Sequence, residues 1–273
     1  MGKFSGILIC TDLDGTLYRN DKSISRENKE AIEYFKREGG YFTFITGRMP
    51  YYSLDAYRTA CPNVPFGCNN GGGIYDGETN KYIWTCGLSS EVTELISSVD
   101  KSFPKVGIQL CGFENTYFAK ENEATGYFIK VTGVPRLVCD YRRVEIPLAK
   151  IIFCTDVENE ILGIERLLKA HPLAENFDFI RSESRLYEIL PKGVNKGLAL
   201  TKLAEYLKID VSKTVAVGDY NNDIGMFKAA GLGIAVSNAS KEALAAADLV
   251  TVSNEEHAIA RIIYDLENGS ISL

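Results

Sequence analysis

Ile7-Leu8-Ile9-Cys10-Thr11-Asp12-Leu13-Asp14-Gly15-Thr16 is the stretch on which the reading of this chain turns. The apolar run Ile7–Cys10 reads as a buried parallel strand, because strands covered on both faces show continuous rather than alternating hydrophobicity. Two carboxylates follow, two residues apart, where that strand should end. Period-two geometry would point both the same way, into the crevice beyond the strand's carboxyl end. Gly15 then lets the chain turn sharply. Two close carboxylates at such a place can share a metal ion, or divide the roles of nucleophile and proton donor. The same residues would also make an ordinary turn, since Asp and Gly favour turns. An EF-hand is excluded, because Asn20 and Asp21 do not supply its ligand spacing.

Working outward, Ser25 predicts an N-cap for a helix over 26–38, and Gly39-Gly40 ends it. Tyr41–Ile45 is a second buried strand, ending at Thr46-Gly47-Arg48, and Pro50 suits the first turn of the next helix. This rhythm of strand and helix is that of a doubly wound parallel sheet. Near 66–84 it changes: Asn69-Asn70-Gly71-Gly72-Gly73 is turn-rich, and Ile74-Tyr75 and Tyr82-Ile83-Trp84 read as a hairpin. Helices over 90–101, 121–131 and 157–170 then mix with strands near 106–111, 115–119, 149–154, 177–181 and 186–190, a smaller α+β pattern. Alternation returns with a helix over 195–207, the strand Thr214–Val217 ending at Gly218-Asp219, a helix over 222–230 and the strand Gly233–Val236. A helix over 240–247, the strand Leu249–Val252 and a helix over 255–267 complete it. The expectation is an α/β protein: a doubly wound parallel-sheet, Rossmann-like core over 1–83 and 189–273, with an inserted smaller α+β cap domain over 84–188.

The chain's 273 residues allow one large domain or two modest ones. A net charge of −6 without a Lys/Arg block argues against a nucleic-acid partner. Seven scattered cysteines with no Cys-x-x-Cys pair, and two histidines, argue against zinc and for reduced thiols in a cytoplasmic setting. No apolar stretch reaches transmembrane length, so no membrane partner is expected.

Four motifs stand at strand ends or helix starts of the expected sheet: Asp12-x-Asp14, Thr46, Lys196 and Gly218-Asp219-Tyr220-Asn221-Asn222-Asp223. In their order and spacing the chain resembles the haloacid dehalogenase-like phosphatase superfamily, Cof-type sugar phosphatase group, over essentially its whole length, the inserted cap included. The resemblance implies a phosphoric monoester hydrolase that uses Mg2+ on a small phosphorylated metabolite. It implies Asp12 as the nucleophile that becomes an aspartyl-phosphate, Asp14 as the general acid/base, and Thr46 and Lys196 as holders of the phosphoryl group. It implies Asp219 as a metal ligand with Asp223 in support, and Asn222 as a polar contact near the phosphate. The expected metal set is Asp12, Asp14, Asp219 and Asp223, and the expected phosphate set is Thr46, Gly47, Lys196 and Asn222.

Physical chemistry supports the same roles. Magnesium prefers hard oxygen ligands, Lys196 adds a point charge on phosphoryl oxygens, and phosphoryl transfer is mostly positioning plus electrostatics. Asp14 must carry a proton when the alcohol leaves, and a neighbouring carboxylate and phosphate would raise its pKa. Taken singly, Thr46 reads as a cap, Lys196 as a solvated helix residue and Asn222 and Asp223 as helix-capping residues. Glu188, just before the return to the core, and Lys150, at the start of Ile151–Phe153, are candidate substrate contacts. Lys150 reads first as a surface lysine flanking a strand. Two alternatives stand beside the phosphatase: a phosphomutase with the same nucleophile, and a non-enzymatic phosphoacceptor module. The latter is normally shorter and has no inserted cap. A monomer is expected.

Overall fold

The computed structural model describes residues 2–144 and 147–273. In chain order the elements are β1 (Leu8–Thr11), α1 (Arg26–Arg37), β2 (Tyr41–Phe44), α2 (Pro50–Ala60), β3 (Phe66–Cys68), β4 (Gly73–Asp76) and β5 (Lys81–Thr85). They continue with α3 (Val92–Ser102), β6 (Gly107–Gly112), β7 (Thr116–Lys120), α4 (Glu123–Thr132), β8 (Leu137–Val138), β9 (Leu148–Cys154), α5 (Glu158–Lys169), β10 (Phe177–Glu183) and β11 (Leu186–Pro191). The last group is α6 (Lys196–Leu207), β12 (Thr214–Gly218), α7 (Ile224–Ala229), β13 (Leu232–Val236), α8 (Lys241–Ala246), β14 (Leu249–Thr251) and α9 (Ala258–Glu267).

The chain separates into two compact units, Met1–Trp84 with Asn195–Leu273, and Thr85–Val194. The second boundary falls beyond the expected 188, because β11 runs on to Pro191 and pairs with β10 through Phe177 opposite Pro191.

The larger unit is α/β. Its parallel sheet has the order β14-β13-β12-β1-β2. Both faces are covered, and the side-chain alternation shows it. Ile9, Val215 and Val217 join a cluster with Ile32 and Phe35 of α1 and Ile259 and Ile262 of α9. Leu8, Cys10 and Ala216 face the other way, onto Leu200 and Leu203 of α6 and Met226 and Phe227 of α7. The chain leaves β1 toward β2 on one side and later leaves β12 toward β13 on the other. The connections therefore diverge above β1 and β12, which opens a crevice at their carboxyl ends.

Local chemistry sets the boundaries. Ser25 Oγ accepts the Asn28 N–H at 3.2 Å and caps α1. The helix expected from 222 starts at Ile224, after a single turn over Asn221–Asp223. The helix expected from 255 starts at Ala258, because His257 holds φ at +64°. The strand β3, unforeseen from sequence, is three residues long, too short to show periodicity, and pairs antiparallel with β4 in a three-stranded sheet completed by β5.

The smaller unit holds a six-stranded sheet of order β10-β11-β9-β6-β7-β8, antiparallel except for the short β7–β8 pair. One face packs Ile108, Leu110, Ile151, Phe153 and Ile189 against Leu95 and Val99 of α3 and Ile161 and Leu168 of α5. Among the described residues no helix is long and apolar enough to cross a membrane, and all seven cysteines are unbridged.

Candidate active site

β1 stops at Thr11, so Asp12 and Asp14 do not lie on a strand and period two does not orient them. The chain instead enters a wide turn over Leu13–Leu17, closed by the Tyr18 N–H donating to the Leu13 carbonyl at 2.8 Å. Gly15 makes this turn possible. Its φ is +79°, and a Cβ there would lie 2.5 Å from Asp219 Oδ2. A glycine thus lets two loops from different strands converge.

Asp12 follows β1, and Asp219 and Asp223 follow β12, the two strands at which the connections diverge. Their carboxylate oxygens lie within 4.8 Å of one another. Lys196, at the start of α6, reaches into this group with its side chain fully buried. Its Nζ donates to Asp12 Oδ1 at 2.7 Å and to Asp223 Oδ1 at 2.5 Å. Asp223 Oδ2 also accepts the backbone N–H groups of Asp219 and Tyr220 at 2.9 and 3.0 Å. Asp219 Oδ1 accepts the Thr16 hydroxyl at 2.9 Å.

Three carboxylates against one ammonium is an excess of negative charge in a buried place. Burial pushes Asp12 above the usual carboxylate range. Lys196 opposes the shift, while Asp223 and Asp219 add to it. Asp219 is pushed up to about 6 by burial and by Asp223. Burial would lower the Lys196 ammonium, but Asp12 and Asp223 outweigh it and hold it above its ordinary value. Such a group of hard oxygens with unbalanced charge suits a divalent cation of the magnesium type.

Asp14 departs from expectation. Its carboxylate lies outside the acidic group and is gripped by Arg48, with Nε to Oδ2 at 3.0 Å and Nη2 to Oδ1 at 2.7 Å. Lys22 Nζ adds a bond at 2.9 Å. Burial tends to raise the Asp14 pKa, but the Arg48 guanidinium and Lys22 win and hold it below the usual range. The expected upward shift from a second carboxylate is therefore absent, because two cations face Asp14 first. Arg48 went unassigned in the sequence reading, although it stands two residues after Thr46.

Thr46 is buried, 2% exposed, at the end of β2 beside β1. Its N–H donates to the Gly67 carbonyl at 3.0 Å, and its carbonyl accepts the Asn70 N–H at 3.2 Å. Asn70 Oδ1 in turn accepts Asn222 Nδ2 at 3.2 Å and crowds Gly47, where a Cβ would lie 2.8 Å away. Asn69 and Asn70 hold this link with φ of 56° and 53°, a left-handed pair of the sort that persists where surrounding contacts over-determine the backbone. The loops of Thr46 and Asn222 are thereby tied to one another. Asn238 Nδ2 donates to the Gly15 carbonyl at 2.8 Å and braces the first turn.

Lys150 and Glu188 belong to the smaller unit. Lys150 is not a surface lysine: it is 4% exposed inside β9, and its Nζ donates to Glu188 Oε2 at 2.7 Å. Ser182 Oγ donates to the other Glu188 oxygen.

A family model described as haloacid dehalogenase-like hydrolase matches residues 9–263. The putative phosphatase YxeH of Bacillus subtilis is 30% identical over 273 residues, covering 95% of this chain and 97% of that protein. The 5-amino-6-(5-phospho-D-ribitylamino)uracil phosphatase YitU of Bacillus subtilis is 27% identical, covering 94% and 96%. Among solved structures, a Thermotoga maritima protein aligns with a TM-score of 0.79 at 26% identity, covering 98% of each chain. A subclass IIB sugar phosphatase of the same superfamily aligns with a TM-score of 0.83 at 20% identity, covering 97% of this chain and all of that one, and so shares the fold. On the match to the family model and the likeness to YxeH, this chain belongs to the haloacid dehalogenase-like hydrolases of the Cof type, and it is a phosphatase.

Proposed function

We propose that the enzyme hydrolyses small phosphorylated metabolites, sugar phosphates foremost, with magnesium, through an aspartyl-phosphate on Asp12. The observation that carries this reading is the meeting of Asp12, Asp219 and Asp223 around the buried Lys196 ammonium at the divergence of β1 and β12. Asp12, Asp219 and Asp223 would hold the ion, and with its side chain given to Arg48, Asp14 would have its main-chain carbonyl to offer. When bound, the ion cancels charge on the phosphoryl oxygens and on the carboxylates.

The chain's own residues do the rest. Asp12 Oδ attacks phosphorus, the bond from phosphorus to the alcohol oxygen breaks, and an acyl phosphate forms. Lys196, Thr46 and the Gly47 N–H hold the transferring phosphoryl oxygens. Asn222, tied to Asn70, steadies the neighbouring loop. Asp14 gives its proton to the leaving alcohol and then takes one from the water that cleaves the acyl phosphate. Its pairing with Arg48 keeps it ionised, as the second step needs. For the first step Asp14 must turn from Arg48, take up a proton from water and present it to the leaving alcohol. Residues of the smaller unit, Lys150 and Glu188 among them, select the alcohol part of the substrate, so remote binding energy serves positioning. The unbridged cysteines fit a cytoplasmic setting.

A panel of phosphorylated metabolites ranked by kcat/KM, with and without chelator, tests the reading. Turnover confined to the magnesium-loaded enzyme is expected. Full turnover in excess chelator would overturn the metal role. Lys150→Met and Glu188→Gln should reorder the panel while sparing an aryl phosphate. Equal loss on every substrate would overturn the division of labour.

A further inference from the structure

The carboxylate of Asp14 lies in a seat made of two cations. Arg48 holds it with two bonds side by side, Nε to Oδ2 at 3.0 Å and Nη2 to Oδ1 at 2.7 Å, and Lys22 Nζ reaches the same Oδ1 at 2.9 Å. Among the described residues neither cation has another ion-pair partner. Both are held from elsewhere as well. The guanidinium carbon of Arg48 lies 6.0 Å from the centre of the buried Tyr18 ring. Lys22 stands in a closed loop: the Arg19 N–H donates to the Ser23 carbonyl and the Lys22 N–H to the Arg19 carbonyl, both at 2.9 Å. All of these residues belong to the larger unit.

The balance of charge in this seat is the reverse of that in the acidic group. Two cations meet one carboxylate, where at Asp12, Asp219 and Asp223 three carboxylates meet one ammonium. In the first step Asp14 leaves the seat to meet the ester oxygen, and both cations lose their counter-ion. Arg48 is half-buried and Lys22 exposed, so a group arriving from solvent can reach them. A guanidinium fork that fits one carboxylate fits another, and it recognises the planar anion better than a hydroxyl. The seat also lies close to the reaction, because a change of staggered rotamer carries an aspartate carboxylate only a few ångströms.

Resting on the phosphatase reading above, we infer that Arg48 and Lys22 form a subsite for a carboxylate of the substrate's alcohol portion, carried one or two carbons from the ester oxygen. The favoured substrates are then phosphate esters of hydroxy acids. The substrate's carboxylate takes the place of Asp14 on the two cations and so frees Asp14 for the leaving oxygen. A neutral alcohol offers no replacement, and turning Asp14 out then forfeits its bonds to Arg48 and Lys22. When the hydroxy acid departs, the seat empties and Asp14 returns to it.

The esters 3-phosphoglycerate and glycerol 3-phosphate make the test, since they share a carbon chain and differ in a terminal carboxylate against a terminal hydroxymethyl group. The magnesium-loaded wild type should prefer 3-phosphoglycerate in kcat/KM by roughly 10-fold or more. Lys22→Met should cut that ratio roughly 10-fold, and Arg48→Met roughly 10- to 100-fold. Lys22→Glu, which sets a like charge against the carboxylate, should cut it further than Lys22→Met. Lys22 is exposed, so its variants fold. The ratio is the readout because a general loss of Asp14 function slows both esters alike. A wild type indifferent to the carboxylate, or a ratio that neither Lys22→Met nor Arg48→Met lowers, overturns the inference and leaves the phosphatase reading intact. A wild type that cleaves neither ester, nor an aryl phosphate, overturns that reading and this one with it.

Discussion

Lys196 neutralises a charge that Asp12 and Asp223 could not carry alone in a buried place, and they in turn keep it ionised. Lys196→Met should therefore cost about 3–5 kcal/mol of stability in the metal-free enzyme, because it strands buried carboxylates. Added magnesium should restore part of that loss, and denaturant melts with and without the ion measure both. Arg48 acts on one residue in a different way. Its fork on Asp14 is half-exposed, so its stability value is small, under about 1 kcal/mol. Its effect on Asp14 is electrostatic. Removing the cation in Arg48→Ala should raise the Asp14 pKa, so its basic form is lost at higher pH. The acid limb of the pH–rate profile should move upward relative to wild type. An unmoved limb would show that Asp14 is not the base. Arg48 was not legible as a site residue. Thr46 ends a strand, and its place follows from the hydrophobic pattern. The grip of Arg48 depends on how the turn after β1 aims Asp14, which a single sequence does not show.

At the scale of elements, the site is made where strand ends, one turn and one helix start converge. These were legible because buried parallel strands are short apolar runs with abrupt ends, as in Leu8–Thr11 and Thr214–Gly218. The rest was not, for a physical reason: β3 and β8, of three and two residues, carry too few side chains for periodicity to register. The reason first given for the two leading carboxylates also failed, since the turn at Gly15 sends Asp14 to Arg48 rather than beside Asp12. That turn has its own consequence. Gly15→Ala would strain a left-handed residue by about 1–2 kcal/mol and push into Asp219 Oδ2, 2.5 Å from the new Cβ. The variant should fold with a modest drop in melting temperature but bind magnesium far more weakly. Calorimetric titration with the ion, beside a thermal melt, separates the two effects. Wild-type affinity would show that the turn does not shape the acidic group.

Across the whole molecule, the acidic group makes stability depend on pH and metal together. Asp12 and Asp219 keep their protons to higher pH when folded than when unfolded, Asp219 to about 6. Their contribution to stability is complete below the unfolded value, about 3.9, and is lost as pH rises through the folded one. The metal-free enzyme should thus lose stability between about pH 4 and 8, the last part as Asp12, raised to about 8, ionises. Magnesium, which binds only the folded ionised group, should flatten that fall and raise the melting temperature with its concentration. Melts across this range with chelator or ion check the sign. The same carboxylates that burden the empty fold are those assigned to catalysis, and Asp12 carries the central claim. Asp12→Asn should abolish turnover, since an amide cannot form the acyl phosphate. Asp14→Ala should be slowed in the second step, which needs a base for water. Given an aryl phosphate, whose leaving group departs without a proton, Asp14→Ala should accumulate the phosphorylated enzyme. Rapid quench and intact mass should show one added phosphoryl group, placed by peptide mapping on Asp12. A phosphoryl group trapped on any other residue, or turnover by Asp12→Asn, would contradict the account.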